Sequence, residues 1–370
     1  MDDQTLYQLA LTRLPGIGDV YTKKLIDRFG DARAVFHADA SALRQTRIPQ
    51  KQVDAILQFS AWDELRNELT TLDHQEIRTM FFTDPDYPHR LKDIPGAPPL
   101  LFYQGATDLN AERVISIVGT RTPTDYGRQM TQRLVRQLAQ PGLLIISGLA
   151  FGIDAIAHKA AMANNIPTVG ILGTGLGQCY PREHTRLAKD MRQQGGLLSS
   201  FPYHSGPDDY RFPMRNHLVA ALCDALVVVE SGAIGGSLLT ADNAWKYGKK
   251  IFAVPGRITD PKSAGCLRLI REKRAELLVS GEQLQTAMAW QWPAGRTGVQ
   301  SDLPFPATHT GRPEPENRLV ELLREKDSLS VDELAAFSRL DTPSVAITLL
   351  NLELQGLIRP LPGKRYRLNR

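Results

Sequence analysis

The feature that most constrains the fold is a repeat of short apolar runs, each followed by a turn and an amphipathic stretch, from residue 112 to about 290. The runs lie at 114–118, 143–146, 168–172, 197–199, 225–229 and 250–254. A strand, a turn and a helix repeated in this order require crossover connections between parallel strands, and helices then cover both faces of the sheet. The sequence therefore predicts an α/β, extended Rossmann-like domain with a mostly parallel, doubly wound sheet.

The chain before this repeat divides into a helical part and a proline-rich part. Residues 1–75 carry apolar residues at helical spacing, with the turn Leu14-Pro-Gly-Ile-Gly18 between two amphipathic stretches. This turn is typical of a helix-hairpin-helix unit, in which glycines let backbone amides approach a phosphate and Lys23 and Lys24 would assist. A helical hairpin used only for packing fits the same residues. The prolines of 76–110 predict an extended connector or edge strands of the sheet domain, which we place at 76–290.

A proline-rich linker at 291–315 precedes a C-terminal domain at 316–370. That domain has three short helical stretches, a capping box formed by Ser330 and Glu333, and two short strands around a Pro-Gly turn, which is the winged-helix pattern. A transcription regulator would read duplex DNA with the third stretch, 343–354. This stretch contains no Arg or Lys, which argues against groove reading and leaves protein contact or stability as alternatives.

Composition excludes several classes of protein. No apolar run reaches the roughly 20 residues of a membrane helix, and the N-terminus is unlike a secretory signal. Cys179, Cys223 and Cys266 lie far apart, which argues against a disulfide framework or a zinc site and favours buried thiols in a reducing cytosol. We therefore expect a cytoplasmic protein without membrane contact. The net charge of +4 is weak evidence for an acidic partner.

Glycine and hydroxyl residues cluster at the carboxyl ends of the predicted strands, where an open parallel sheet binds its ligands. The turns in question are Gly119-Thr-Arg121, Ser147-Gly-Leu-Ala150, Gly173-Thr-Gly-Leu-Gly177 and Glu230-Ser-Gly-Ala-Ile-Gly-Gly-Ser237. Each precedes a helix, where free amides and the positive helix end favour an anion. One such turn is weak evidence because tight turns need glycine in any case, whereas four on one sheet edge indicate a phosphate-rich ligand.

Arginines and aromatic residues beside these turns indicate the type of ligand. The arginines are Arg121, Arg182 and Arg215. A guanidinium matches the geometry of a phosphate and stacks on bases. The aromatic residues are Phe151, Tyr180 and Phe212, although Phe212 fits a core position equally well. Arginines interleaved with aromatic faces are typical of single-strand recognition.

The residues support an enzymatic function less well than they support binding of a single strand. No P-loop motif is present, and the glycines of 173–177 lack dinucleotide spacing, so we expect no cofactor. Asp154 and His158 would share a helix face as an acid/base pair, but a helix-start aspartate and a hydrogen-bonded histidine explain them better. Glu230 is the best candidate acid for the alternative function, a phosphoribohydrolase-like nucleotide-processing enzyme. No nucleophile with an evident base stands beside it.

Several of these motifs occur together in one order. They are Ile117–Arg121, Ser147–Asp154 with His158, Gly173–Gly175 with Tyr180-Pro181, Phe212–Asn216, Gly236–Thr240 and Pro255-Gly256. In this combination the chain resembles the DNA-processing protein A family (DprA, also called Smf). The resemblance covers nearly the whole chain, including a SAM-like N-terminal domain and a C-terminal winged helix. It implies a non-enzymatic homodimer that binds single-stranded DNA, protects incoming strands and loads the RecA recombinase during natural transformation.

The resemblance also implies which residues line the phosphate pocket. They are Gly119, Thr120, Arg121, Ser147, Gly148, Arg182, Arg215 and Asn216, with Ser237 near them. Three positions depart from the family pattern. Phe151 stands where a basic or small residue is common, His217 where an arginine is common, and Lys273-Arg274 where a glycine is usual. Because the first two changes remove positive charge, we expect a pocket that is less basic than in relatives.

Overall fold

The structure, a computed structural model, describes residues 3–290, 314–326, 328–338, 340–354, 357–361 and 365–368. The chain divides into two compact units, residues 1–294 and residues 295–370. The N-terminal helices and the large sheet belong to the first unit, and the C-terminal helices and hairpin belong to the second. Of the predicted linker at 291–315, all but the last two residues lie outside the described part of the chain.

Six helices occupy residues 3–74 of the first unit: α1 (Asp3–Arg13), α2 (Asp19–Phe29), α3 (Ala32–His37), α4 (Ala40–Gln45), α5 (Gln50–Leu57) and α6 (Trp62–His74). The predicted turn at 14–18 joins α1 to α2. Asp31 and Asp39 cap α3 and α4, because each carboxylate accepts an amide hydrogen from three residues on, at 2.7 and 2.8 Å. The helices share a hydrophobic core with Phe81 and Phe102 of the sheet, so they pack directly on its edge.

The described residues of the first unit then form a nine-stranded sheet with interspersed helices. The elements are β1 (Arg78–Phe81), β2 (Leu100–Gly105), β3 (Arg113–Val118), α7 (Asp125–Gln137), β4 (Leu143–Ser147), α8 (Ile153–Ala163), β5 (Thr168–Ile171), α9 (Thr185–Gln194), β6 (Gly196–Ser199), α10 (Arg211–Ala221), β7 (Ala225–Val228), α11 (Gly236–Lys246), β8 (Lys250–Ala253), α12 (Ala264–Arg271), β9 (Glu276–Leu277) and α13 (Gly281–Ala287). The strand order is β1-β2-β6-β5-β4-β3-β7-β8-β9. The pairs β1–β2 and β2–β6 are antiparallel and the others parallel, so 76–110 supplies edge strands.

Alternate residues of β3 are buried against helices on opposite faces of the sheet. Val114 and Val118 belong to a core with α10, α11 and α12. Ile115 and Ile117 belong to a different core with α7, α8 and α13. Burial on both faces explains why the strands read as continuous apolar runs, and it confirms the predicted doubly wound sheet.

The strand order reverses between β3 and β7. Strands β3 to β6 progress toward one edge of the sheet, whereas β7 to β9 extend toward the other. The helices that follow β3 and β7, which are α7 and α11, pack on opposite faces. A crevice therefore opens between the carboxyl ends of these two strands, which is the position where doubly wound sheets bind ligands.

The second unit has the winged-helix arrangement. Its described elements are α14 (Glu314–Glu325), β10 (Leu329–Ser330), α15 (Val331–Ser338), α16 (Thr342–Leu354), β11 (Ile358–Leu361) and β12 (Arg365–Leu368), with strand order β10-β12-β11. The capping box is confirmed, since Ser330 N–H donates to Glu333 Oε2 at 2.8 Å and Glu333 N–H donates to Ser330 Oγ at 3.2 Å. The predicted Pro-Gly turn between β11 and β12 lies outside the described residues.

The structure bears on two expectations from composition, which concern membrane-spanning helices and the cysteines. Within the described residues, no helix combines the length and apolarity that crossing a membrane requires. The thiols of Cys179, Cys223 and Cys266 are free. Cys223 and Cys266 are buried as predicted and act as small core side chains. Cys179 is only half-buried, because it lies in the surface loop after β5.

Candidate functional site

A pocket of about 310 Å³ opens at the point where the strand order reverses. The loops after β3, β4 and β7 and the first turns of α8, α10 and α11 form its wall. Seven of the predicted site residues line it: Gly119, Thr120, Arg121, Phe212, Arg215, Asn216 and Ser237. Residues from distant parts of the chain thus converge on one cavity at the predicted edge of the sheet.

The loop after β3 presents an exposed arginine from a rigid backbone. Thr120 N–H donates to Glu230 O at 2.7 Å, and Thr120 O accepts from Ile153 N–H at 3.2 Å. These bonds tie the loop both to the end of β7 and to the start of α8. The side chain of Arg121 is exposed and forms no ion pair with any described residue. Its charge is therefore available to a ligand.

Arg215 has a different environment, because it is only 6% exposed. Its Nη1 donates to Gly148 O and, at 3.1 Å, to Ile171 O. Its Nε donates to Asn216 Oδ1 at 3.1 Å. Burial lowers the pKa of Arg215, while Asp154 acts in the opposite direction. Arg215 therefore forms a positively charged floor of the pocket, held in place by backbone carbonyls.

Asp154 and Gly148 complete this floor. Asp154 Oδ2 accepts the amide hydrogens of Gly148 at 3.1 Å and Ala150 at 3.3 Å. Burial raises the pKa of Asp154, and Arg215 opposes this shift. A Cβ on residue 148 would lie 2.6 Å from Arg215 Nη1 and 2.8 Å from Asp154 Oδ2, so only glycine fits between the two charged groups.

The start of α11 closes the opposite side of the pocket. Gly235, Gly236 and Ser237 line it, and the first amides of an α-helix have no partner within the helix. Ser237 Oγ donates to Ser231 Oγ at 2.9 Å, and Ser231 Oγ donates to Gly232 O at 3.2 Å, which fixes both side chains in the pocket wall. The positive end of α11 therefore faces the same space as Arg121 and Arg215, an arrangement suited to an anion such as a phosphate.

Some predicted residues lie beneath the pocket wall or beside it. Ser147 is fully buried, and its Oγ donates to Ile117 O at 2.6 Å. Gly148 lies behind Arg215. Arg182 is exposed in the loop after β5, outside the residues that line the cavity. Ser147 and Gly148 thus support the floor, and Arg182 lies farther out on the same edge of the sheet.

The three predicted aromatic residues also lie along this edge. The ring of Tyr180 is 44% exposed and packs on Phe212, with 5.4 Å between the ring centroids. Phe151 is 40% exposed and packs edge-on against His184 at 5.0 Å. Phe212 is half-buried and lines the pocket itself. Tyr180 and Phe151 therefore offer ring faces to solvent next to an anion site.

Neither of the two departing residues lines the cavity, so its wall does not owe its charge to position 151 or 217. His217 follows Arg215 by two residues on α10, so it projects roughly 200° around the helix. It instead contacts Tyr247 Oη and Gly96 O and lines a different cleft. Phe151 lies beside the pocket, as described above.

The glycine-rich turn after β5 also has another role. The expectation that all four turns would cradle phosphate does not hold for 173–177, since none of its residues lines the pocket. A Cβ at Gly175 would collide with the carbonyl oxygens of Pro202 and Tyr203. A Cβ at Gly173 would meet the ring of Phe212 and one at Gly177 the ring and carbonyl of Tyr203, so close packing within the protein explains the glycines of this turn.

The candidate catalytic groups are occupied in structural contacts. Glu230 is 2% exposed, and its carboxylate accepts from Thr124 N–H at 2.9 Å and Thr124 Oγ at 2.5 Å, which fixes the start of α7. It does not line the pocket. His158 is fully buried, and its Nδ1 lies 2.7 Å from Thr168 Oγ1. The hydrogen-bonded histidine and helix-start aspartate, rather than an acid/base pair, are therefore confirmed.

Among the described residues there is no cluster of three side chains suited to a metal ion.

Sequence reasoning selected the turns 147–150 and 230–237 as a whole but named only Ser147, Gly148 and Ser237 within them as pocket residues. The wall also contains six other residues of these turns, together with Val118, Asp154 and Thr240; the six are Ala150, Ser231, Gly232, Ile234, Gly235 and Gly236. The glycine content of the turn 230–237 was therefore a signal for more of the wall than the single residue Ser237. Ile234 is 94% exposed, which its apolar character would not suggest.

The family model for DNA recombination-mediator protein A matches residues 78–289, which is more than half of the chain. The chain belongs to this family. A second model, for the DprA winged helix domain, matches residues 304–364. The first match spans the sheet and its pocket, and the second spans most of the C-terminal unit.

Individual members of the family are similar to the chain over most of their length. Protein Smf from Synechocystis sp. is 31% identical in an alignment 400 positions long, which covers 99% of both chains. The X-ray structure of DNA processing protein A (DprA) from Streptococcus pneumoniae has a TM-score of 0.64 and 30% identity, and the match covers 77% of this chain and 98% of that one. A structure reporting the single-stranded DNA binding mode of DNA processing protein A from Helicobacter pylori has a TM-score of 0.53 and 29% identity, covering 59% and 98%.

Proposed function

We propose that this member of the DNA recombination-mediator protein A family binds single-stranded DNA and acts by binding, without catalysing a reaction. The observation that carries the proposal is the pocket between β3 and β7. It combines the exposed Arg121, the buried Arg215 and the positive end of α11 around one cavity. A backbone phosphate is the ligand that this combination suits best.

Selectivity for single strands follows from the aromatic rings beside the pocket. Tyr180 and Phe151 expose ring faces on which unpaired bases can stack, and Phe212 lies between Tyr180 and the cavity. In a duplex the base faces are already stacked on each other. Stacking therefore favours a single strand and does not depend on its sequence.

The contacts of the candidate acids support a role without catalysis. Asp154 lines the pocket, but its carboxylate accepts the amide hydrogens of Gly148 and Ala150. A phosphoribohydrolase-like enzyme would need Glu230 at the ligand, but its carboxylate is directed to Thr124 at the start of α7. Burial lowers the pKa of His158 to about 3, so the imidazole is neutral near pH 7 and is enclosed by protein. No cofactor is needed for the binding role.

We further propose the biological context that the family resemblance implies. In that context the protein is a cytoplasmic homodimer that protects incoming strands during natural transformation and loads the RecA recombinase onto them. The net charge of +4 supplies little overall attraction for DNA, so affinity depends on where the positive charges are placed. Two sites acting together in a dimer would raise that affinity, which supports pairing of protomers. We also propose the domain limits 1–75, 76–290 and 316–370. We further propose that all nine residues predicted for the DNA site contribute to binding: six line the pocket, Ser147 and Gly148 support its floor, and Arg182 lies farther out on the same edge.

A salt-dependent binding titration tests the proposal. Fluorescence anisotropy with a labelled oligo-dT should show tight binding that weakens steeply with salt, and a blunt duplex of the same length should bind more weakly. Arg121→Ala should cost about 1–3 kcal/mol of binding free energy, because a charge-assisted contact is lost. The matched control is Arg128→Ala, an exposed arginine of α7 outside the pocket. Binding that is insensitive to both salt and Arg121→Ala would contradict the proposal, and so would nucleotide turnover that disappears in Glu230→Gln.

A further inference from the structure

A second concave surface lies on the face of the sheet that is covered by α7 and α8. It is a groove of about 790 Å³ between the two helices, here named the α7–α8 groove. Its lining residues are Tyr126, Gln129, Met130, Gln132, Arg133 and Arg136 of α7 with Lys159, Ala160, Ala163 and Asn164 of α8. The binding site proposed above does not use any of these residues.

The charge of the groove has one sign. Arg133, Arg136 and Lys159 are exposed, and no acidic residue is among those that line the groove. None of the three cations forms an ion pair within the part of the chain that the structure describes. Arg133 and Arg136 are three residues apart on one helix, where like charges repel each other. An anionic partner would relieve this repulsion.

The side chains form a track along the helix. Gln129, Arg133 and Arg136 are at positions i, i+4 and i+7 of α7, so they lie on one face, and Lys159 faces them from α8. The 13 residues of α7 extend about 20 Å, which is long enough for several nucleotides. A row of donors and charges of this length suits a polyanion better than a single phosphate group.

The upper end of the groove adjoins the phosphate pocket. Helix α7 begins four residues after Arg121, and Gly152, just before α8, packs against the backbone of Thr120 and Arg121. Tyr126 stands at this end, is 44% exposed and is held by a hydrogen bond from its hydroxyl to Pro255 O at 2.6 Å. The ring therefore offers a base-stacking face between the pocket and the basic track.

We propose that the α7–α8 groove binds the backbone of the single strand where it leaves the phosphate pocket. The inference rests on the proposed function and extends the DNA path to a surface with its own residues. A second copy of the chain is the competing occupant. In a two-fold contact the same patch meets itself, and the three cations would then face three cations, so the charge disfavours a self-contact.

The test compares a short and a long strand on the full-length protein. The probes are labelled oligo-dT of about 5 nucleotides, which reaches little beyond the pocket, and of about 25 nucleotides, which reaches the groove as well. The variant is Arg133→Gln with Arg136→Gln. The control is Arg128→Gln, on the same helix, exposed and outside the groove. Anisotropy titrations across a salt series give the affinity of each protein for each strand and the slope of log affinity against log salt concentration.

Loss of two phosphate contacts has a defined signature. For the long strand, the double variant should bind roughly tenfold more weakly near 0.15 M salt, and the slope of log K against log salt should shrink by about 1.4, or 0.7 per contact. The affinities of variant and wild type should converge near 1 M salt. For the short strand, the affinities of the double variant and the wild type should agree within about twofold. Arg128→Gln should change the affinity for either strand by no more than about twofold.

The outcomes separate this inference from the function on which it rests. If wild type does not bind the long strand, or if Arg121→Ala has no effect, the proposed function itself fails. If Arg121→Ala weakens binding but the double variant behaves like Arg128→Gln, the groove does not carry DNA and the inference is overturned. It is also overturned if the double variant changes the molecular mass of the free protein in analytical ultracentrifugation, because the groove is then a contact between copies.

Discussion

Replacing Arg215 by methionine would remove the buried charge that forms the floor of the pocket. Methionine retains much of the side chain's volume but leaves the carbonyls of Gly148 and Ile171 without their donor. It also removes the positive charge that opposes Asp154. An unsatisfied buried polar group costs about 1–3 kcal/mol, and loss of one member of a buried charge pair costs about 3–5 kcal/mol. We expect the free energy of unfolding to fall by about 3–5 kcal/mol at pH 7.

The loss should depend on pH with a defined sign. Burial raises the pKa of Asp154 above its ordinary value of 3.8, and without Arg215 the main opposing charge is gone. The folded variant then keeps a proton that the unfolded chain releases. Its stability therefore falls as pH rises through 3.8 toward the raised pKa of the folded state. The difference from wild type should be smaller near pH 4 than at pH 7.

Urea unfolding followed by tryptophan fluorescence measures the loss of unfolding free energy in the first unit, which contains Arg215. All four tryptophans precede residue 295, so the signal reports on the first unit. Arg121→Met removes an equal charge from an exposed position and should change the free energy of unfolding by less than about 0.5 kcal/mol. Combining Arg215→Met with Asp154→Asn should recover about 1 kcal/mol or more at pH 7. A loss below about 1 kcal/mol, or equal losses at the two pH values, would refute the reasoning.

Three further predictions concern single residues. Because burial lowers the pKa of His158 to about 3, the folded state binds fewer protons than the unfolded chain between about pH 3 and 6.5, and stability falls as pH falls through this range. In His158→Gln, the urea midpoint should depend less on pH between about 3 and 6.5 than it does in wild type. The same pH dependence in variant and wild type would contradict the lowered pKa of His158. Glu230→Gln weakens the two bonds to Thr124, so Tm should fall while single-strand affinity stays within about twofold; a loss of affinity would place Glu230 at the ligand. Tyr180→Ala should cost about 1–3 kcal/mol of single-strand binding in anisotropy titrations, the value of one stacked base, and an unchanged affinity would remove Tyr180 from the DNA path.

Much of the architecture follows from patterns that act over a few residues. Runs such as 114–118 are buried at every position and apolar except at Ser116, because both faces of the sheet are covered, and the predicted parallel order results directly from this. The capping box of Ser330 and Glu333 joins residues three apart, so local sequence specifies it completely. The prediction of a ligand at the carboxyl edge of the sheet needed the strand–turn–helix repeat and nothing from distant contacts.

The choice among the turns depended on tertiary structure. β3 and β7 are neighbours only because the strand order reverses between them, and no local pattern encodes that neighbour relation. The turn 173–177 has the same glycine-rich appearance as 230–237, yet its glycines accommodate Phe212 and the segment near Tyr203. Glycine permits close approach, and the sequence of the turn does not state whether a ligand or another chain segment approaches.

The sequence alone determined that this chain forms a doubly wound sheet whose carboxyl edge carries glycines, arginines and aromatic rings. Tertiary structure decided what each of them does. Arg215 is buried under carbonyls while Arg121 on the same pocket is exposed, and His217 projects away although it lies only two residues further along α10. The physical reason is that residue type and periodicity set secondary structure locally, whereas burial, partner and charge environment come from segments that meet only in the folded chain.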